Sequence, residues 1–290
     1  MSVMPTYTDK WHNDVYPQID AKRPELSMKG KRIVITGGAG GIGAATARAF
    51  AIAGAAEVYL LGRTLETLES TKSSLQGQFP KTKFIVLKTD IADADSTSNS
   101  FDAIAEAGPI DVYINNAGYL ADLGPVASAD VLDWWKAFDV NVRGSVYALQ
   151  KVLKNISQSG VIINVTSAVA HIPHAPGQSA YAASKLGASK IFEYIQFEHP
   201  NLRVFNLQPG VIEATGVASK AAAQGGYSWP QQDTLELPAN FMVWLSSPFA
   251  SFLKGRFVWA NWDVTELEAK RQALEENPAL LTLGLNGWPQ

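Results

Sequence analysis

The chain has 290 residues, of which 47% are hydrophobic and 18% charged, a globular composition long enough to bury a full core without covalent staples. It contains no cysteine, which excludes disulfides, thiolate metal sites and cysteine nucleophiles and fits a reducing compartment. The net charge is −3 with no lysine or arginine run, no apolar leader and no stretch near the roughly 20 apolar residues of a bilayer span, so a cytoplasmic protein bound to neither nucleic acid nor membrane is expected.

Residues 1–30 form an arm with prolines at 5, 17 and 24 and no clear periodicity. Its aromatics Tyr7, Trp11 and Tyr16 suit packing onto the body; a mobile terminus is the alternative. From Lys31, longer helical stretches separate short apolar runs at Arg32–Thr36, Glu57–Leu61, Lys83–Lys88, Asp111–Asn115, Val161–Thr166, Leu202–Gln208 and Arg256–Ala260. Valine, isoleucine and leucine crowd these runs instead of alternating with polar residues, as a parallel sheet covered on both faces requires. Repeated β-α units predict an α/β fold, a single doubly wound Rossmann-type domain over 31–262 with about seven strands. Residues 212–234 break the rhythm. Small residues beside Tyr227 and Trp229 suit a movable lid over a site, as against a plain surface excursion. Residues 263–290 form a tail with a short charged helix from Glu266 and an apolar tip from Leu280, serving either a subunit interface or its own subunit.

Thr36-Gly37-Gly38-Ala39-Gly40-Gly41-Ile42-Gly43 joins the first strand to a helix over Ala44–Ala53. Glycines are needed where backbone turns with positive φ and touches a pyrophosphate, and the helix then offers free N–H groups and its positive dipole end. A strand before and a helix after are the context that marks such a loop as dinucleotide-binding. The second strand ends in Gly62-Arg63-Thr64, with no carboxylate for a ribose 2′-hydroxyl and a guanidinium suited to a 2′-phosphate. NADP is therefore favoured over NAD; a solvated helix-start arginine is the alternative.

Tyr181 and Lys185 stand four apart near the start of a helix predicted over Ser179–Glu198, on one face. Free tyrosine has a pKa near ~10, and an adjacent ammonium together with a positively charged oxidised nicotinamide would stabilise the phenolate. Reductively, the same phenol would donate a proton to a nascent alkoxide. Around the pair, Asn115-Asn116-Ala117-Gly118 closes the fourth strand and Asn141 lies in the next helix. Ser167 ends the fifth strand, and Asn206, Pro209 and Gly210 close the sixth.

With these motifs in order, together with Asp90-Ile91, the sequence resembles the short-chain dehydrogenase/reductase family from about Lys31 to Ala260. The resemblance implies that Ser167 orients the substrate oxygen, Tyr181 is the general acid/base and Lys185 holds the nicotinamide ribose. It makes Asn141 the support of a proton-relaying water. Cofactor contacts would come from Gly37, Gly41, Ile42, Gly43, Arg63, Thr64, Asp90, Ile91, Asn116, Ala117, Gly118, Tyr181, Lys185, Pro209, Gly210, Ile212 and Thr215, with a homodimer or homotetramer as the assembly. The Trp-Ala-Asn-Trp-Asp ending and the arm look like a fungal branch with specialised-metabolite substrates. Two departures stand out. The segment from Ser167 to Tyr181 carries one extra residue, with Thr166 as the other nearby hydroxyl. The slot where the family often has a threonine after Pro-Gly is Ala214, with Thr215 next.

His171 and His174 lack the cysteine or carboxylate company of a metal site, so no metal is expected and a pocket rim or solvent-facing loop is the reading. Trp134-Trp135 at a helix start is assigned to core rather than substrate wall. The leading expectation is an NADP(H)-dependent ketoreductase for an apolar or aromatic ketone or secondary alcohol. A dinucleotide-binding protein with a non-redox or regulatory role is the alternative, disfavoured because the full tetrad is present. A nucleotide-sugar epimerase or dehydratase would need a longer substrate domain after the sheet.

Overall fold

The structure, a computed structural model, describes residues 6–172, 175–228 and 232–285. Its frame is a parallel sheet of β1 (Arg32–Thr36), β2 (Glu57–Gly62), β3 (Lys83–Lys88), β4 (Ile110–Asn115), β5 (Ile156–Val165), β6 (Arg203–Gln208) and β7 (Phe257–Trp259). The strand order is β3-β2-β1-β4-β5-β6-β7. The chain starts mid-sheet, winds to one edge, and returns to begin β4 on the other side of β1. The crevice beyond the carboxyl ends of β1 and β4 is thus the switch point where such folds bind ligands.

The crossovers are α1 (Gly41–Ile52), α2 (Leu65–Gln78), α3 (Ala94–Glu106), α4 (Val131–Phe138), α5 (Gly144–Asn155), α6 (Ser179–Glu198), α7 (Gly216–Gly225) and α8 (Glu236–Ser246). In β1, Ile33 and Ile35 enter the core shared with α1 and α8, while Val34 enters the opposite one with Phe101, Leu149 and Phe192 from α3, α5 and α6. Both faces are buried, which is why the strands read as continuous apolar runs. Local signals set several starts: Asp93 accepts from Ser96 N–H to cap α3, and Asp130 accepts from Leu132 N–H to cap α4.

The arm packs. Tyr16, Ile19, Ala21, Leu26 and Met28 are buried, and Trp11 pairs antiparallel with Trp262 beyond β7. The described part of the tail packs on its own chain. Its predicted helix is two, α9 (Val264–Ala269) and α10 (Arg271–Glu276), interrupted at Lys270. Leu267 and Leu274 are buried, Phe257 N–H donates to Leu281 O (2.7 Å), and the Arg256 guanidinium caps the carbonyls of Leu274, Asn277 and Pro278. Among the described residues no helix is long and apolar enough to cross a membrane. His174, Trp229 and the end of the tail, residues 286–290, lie outside the described residues.

Candidate active site

The glycine turn after β1 is built around close approaches. Gly37 has φ 67° and Gly41 φ 50°, the left-handed region that favours glycine. A Cβ on Gly37 would lie 2.8 Å from Asn116 Nδ2, and one on Gly43 only 2.2 Å from Gly37 O. Asn116 ties the turn to the end of β4: its Nδ2 donates to Thr36 O (2.9 Å) and Gly37 O (3.2 Å). In return, Thr36 Oγ1 accepts the N–H groups of Asn116 and Ala117, each at 3.0 Å. α1 begins at Gly41 with no side-chain cap, leaving first-turn N–H groups for an anion.

Beside the turn lies a cavity of about 160 Å³. Six expected cofactor residues line it: Gly37, Arg63, Asp90, Ile91, Ala117 and Gly118. Thr36, Leu61, Gly62, Thr89, Tyr119 and Val140 line it too and were not singled out from the sequence. Tyr119 was legible only by adjacency to the Asn-Asn-Ala-Gly run. A hydrogen bond to Asp133 first, then burial, pushes its phenol up to about 12, with Arg63 pulling the other way. Arg63 itself is exposed at the cavity edge, without a hydrogen-bond partner among the described residues. Thr64 starts α2 in an exposed position and does not line the cavity.

The four expected catalytic residues come from three places: the end of β5, α6 and the turn between α4 and α5. Ser167 lies two residues past the end of β5, and Val165 pairs with Leu207, so the ends of β5 and β6 lie side by side. Thr166, the competing hydroxyl, is buried against Ser189 Oγ at 2.7 Å and faces the interior. Tyr181 and Lys185 lie one turn apart on α6, 7% and 5% exposed. Lys185 Nζ donates to Val165 O (2.9 Å) and sits 5.7 Å from the Tyr181 ring centre. Burial lowers the Lys185 ammonium to about 8. Burial also pushes the Tyr181 phenol up to about 12, against a hydrogen bond from Ser167. In the protein alone the tyrosine shift is therefore upward; the lowering expected from the sequence needed the nicotinamide charge as well as Lys185.

Asn141 lies in a π-helical turn, Asp139–Arg143, inserted between α4 and α5 rather than in a regular helix. Its side chain clamps the residue after Gly118, accepting from Tyr119 N–H (2.8 Å) and donating to Tyr119 O (2.9 Å) and Ser184 Oγ (2.9 Å). Its main-chain carbonyl accepts from Ser145 Oγ (2.8 Å). Below the site runs a ladder of buried amides in register across three strands. Asn115 Nδ2 donates to Asn164 Oδ1 (2.9 Å), and Asn164 Nδ2 donates to Asn206 Oδ1 (2.8 Å).

Over Tyr181 the expected lid contains α7. Ala221, Val217 and Tyr227 pack with Leu120, Leu123 and Val169 around the tyrosine ring. Lys220 Nζ reaches Leu120 O (2.9 Å) and Asp122 (2.7 Å), Gln224 brackets Asp122 and Leu123 N–H, and Tyr227 Oη donates to Pro176 O (2.7 Å). Thr215 caps α7, accepting from Ala218 N–H, with its methyl 3.9 Å from the position of a Gly41 Cβ. Pro209, Gly210 and Ile212 form the turn after β6 at the base of this lid.

One lesser assignment comes out differently. Trp135 is 54% exposed and Trp134 half-buried, its indole N–H donating to Ser179 Oγ, so the core reading of the pair is corrected; the apolar face of α4 extends past the body. His171 is exposed on the loop after β5, as the solvent-facing reading has it; its ring also contacts Phe257 and Trp259 and accepts the Trp259 indole N–H (3.2 Å), and partial desolvation lowers its pKa.

The turn with its close approaches at Gly37 and Gly43, the uncapped helix start and the adjoining cavity fit a dinucleotide, and the fold and site together define a doubly wound dinucleotide-binding protein. A family model described as short chain dehydrogenase matches residues 31–225. A short chain dehydrogenase/reductase from Claviceps purpurea is 32% identical over 286 residues, covering 97% of this chain and 95% of that protein. Another, AacuD from Aspergillus aculeatus, is 31% identical, covering 96% of each. A solved short chain dehydrogenase from Salmonella enterica superposes with a TM-score of 0.73 at 26% identity, covering 82% of this chain and 98% of that one. The chain belongs to the short-chain dehydrogenase/reductase family, whose members are oxidoreductases that bind a nicotinamide dinucleotide.

Proposed function

We propose that this protein is an NADP(H)-dependent ketoreductase acting on an apolar or aromatic ketone, with Asn141, Ser167, Tyr181 and Lys185 as its working residues. The observation that carries the reading is Tyr181 buried one turn from Lys185 on α6, beneath an apolar roof. Gly37, Gly41, Ile42 and Gly43 would hold the pyrophosphate; Asp90, Ile91 and Asn116 to Gly118 would hold the adenosine half. Arg63 would read the 2′-phosphate, helped at the strand end by Thr64. Pro209, Gly210, Ile212 and Thr215 would flank the nicotinamide. When bound, the reduced dinucleotide supplies a hydride to the carbonyl carbon.

The chain's own residues handle the oxygen and the proton. Ser167 donates a hydrogen bond to the carbonyl oxygen, and Tyr181 Oη transfers its proton there as negative charge develops. A phenol held near 12 is fully protonated at neutral pH, which suits the reductive direction. Lys185 binds the ribose and its positive charge compensates the phenolate left behind; a water on the Asn141 carbonyl returns the proton. The lid contacts Leu120, Leu123, Val217 and Tyr227 exclude water and favour an apolar substrate, a class that includes specialised metabolites. Leu186, Tyr194 and Phe197 leave an apolar stripe exposed on α6, which supports a homodimer or homotetramer, and we take the compartment to be the cytoplasm.

The test is fluorescence titration with NADPH and NADH, then NADPH oxidation across a panel of bulky ketones and small polar sugars. Tight NADPH binding with turnover of bulky ketones is expected; turnover confined to sugars, or equal affinity for both dinucleotides, refutes the reading.

A further inference from the structure

Asp233 is a buried carboxylate with no ion-pair partner among the described residues, a placement that costs free energy unless every lone pair is used. It lies where the chain re-enters the body after the lid. Oδ2 accepts Val211 N–H (2.5 Å), and Asp233 N–H donates back to Val211 O (2.9 Å), so the two ends of the lid close on each other. Oδ1 accepts Asn13 Nδ2 (2.5 Å) from the arm and Asn261 Nδ2 (2.8 Å) from the turn after β7. The approach is tight: Gly210 has φ 99°, and a Cβ there would lie 2.5 Å from Asp233 Oδ2.

The arm is fixed in register at this point. His12 N–H donates to Asn261 O (2.9 Å), Asn261 Nδ2 donates to His12 O (2.9 Å), and Thr234 N–H donates to Asn13 O (2.9 Å). His12 stacks on Tyr16 and pairs with Asp263, and the Tyr16 hydroxyl holds Trp262 O (2.9 Å). Only an acceptor-only side chain can take Val211, Asn13 and Asn261 as three simultaneous donors; an amide would turn one contact into donor against donor. A neck that needed closing alone would be served by the Val211 pair. The two added amides make the backbone position of the Gly210–Val211 turn depend on the arm.

We propose that Asn13, Asp233 and Asn261 are positioning residues that fix the turn after β6 for the nicotinamide half of the cofactor, with the N-terminal arm as a working part of the site. This rests on the reading above that the protein binds NADP(H) with its nicotinamide beside that turn. The adenosine end is held by the β1, β2 and β4 ends, on the far side of the switch point, and does not depend on the arm.

The experiment is calorimetric titration of wild type, Asn13→Ala and Asp233→Asn with NADPH and with adenosine 2′,5′-bisphosphate, which lacks the nicotinamide half, alongside hydrogen exchange over residues 212–228. NADPH affinity is expected to fall roughly tenfold in Asn13→Ala and further in Asp233→Asn, from loss of a hydrogen bond to a charged group. Adenosine 2′,5′-bisphosphate affinity should stay within about twofold of wild type, with faster exchange in 212–228. Equal loss for both ligands, or no loss for NADPH, overturns the inference; Asn13→Ala, which leaves Val211 and Asn261 in place, decides if Asp233→Asn does not fold. Wild type binding neither NADPH nor NADH would instead overturn the dinucleotide reading beneath it.

Discussion

Lys185 sets a pH limit on cofactor capture. Its ammonium lies 5% exposed on α6, donating to Val165 O with no carboxylate partner among the described residues, and burial brings it from its ordinary 10.5 to about 8. That lowering corresponds to about 3 kcal/mol of lost preference for the charged form. The sign follows directly: below about pH 8 the ammonium is present to bind the ribose, and above it the neutral amine dominates. kcat/KM for NADPH reports groups of the free enzyme, so it should be level from pH 6 to 7.5 and fall close to tenfold per pH unit beyond about 8. Tyr181, near 12, stays protonated throughout that range and adds no second limb. The assay is initial-rate NADPH oxidation with a saturating ketone in constant-ionic-strength buffers, repeated with Lys185→Met. The variant should be slower and lack the limb. A level wild-type profile to pH 10, or the same limb in Lys185→Met, refutes the assignment.

Tyr181→Phe should keep the ring packing with Leu120 and Ala221, bind NADPH as wild type does, and lower kcat by roughly a hundred- to ten-thousand-fold; stopped-flow hydride transfer measures it. Arg63→Asp should weaken NADPH by roughly ten- to a hundredfold while leaving NADH nearly unchanged, since Arg63 has no described hydrogen-bond partner to lose; titration with both dinucleotides checks this. Asn164→Ala removes the middle rung of the amide ladder, leaving Asn206 Oδ1 and one Asn115 donor unpaired, and should cost about 2–4 kcal/mol in urea unfolding. A loss under 1 kcal/mol would show that the ladder is not a connected network.

The frame was legible because burial on both sheet faces leaves its mark on every strand: Ile33 and Ile35 on one side and Val34 on the other must all be apolar. The glycine turn and the Tyr181/Lys185 pair were legible because their chemistry needs fixed local spacing. What depends on distant chain was not. The π-helical turn around Asn141 is stabilised by contacts to Tyr119 and Ser184 that no local pattern encodes. Trp135 was misread because an apolar residue on an amphipathic helix says nothing of whether its own subunit covers it. Asp233 gave no signal at all, since its partners come from residues 13, 211 and 261.

The lid is held unequally at its two ends, and the inequality has a mechanical consequence. At its tip, Lys220 and Gln224 meet an Asp122 side chain that is 69% exposed, contacts worth little against solvent screening and readily exchanged for water. At its base, Asp233 is buried and every contact that breaks leaves a charge without a partner, a much larger cost. Thermal opening will therefore begin at the tip and stop at the neck. On the proposed function, such a lid would lift α7 off Tyr181 to admit the ketone while the turn proposed to flank the nicotinamide stays in place. Substrate exchange and cofactor retention are then governed by different contacts on one segment, and replacing Lys220 should speed product release without weakening NADPH.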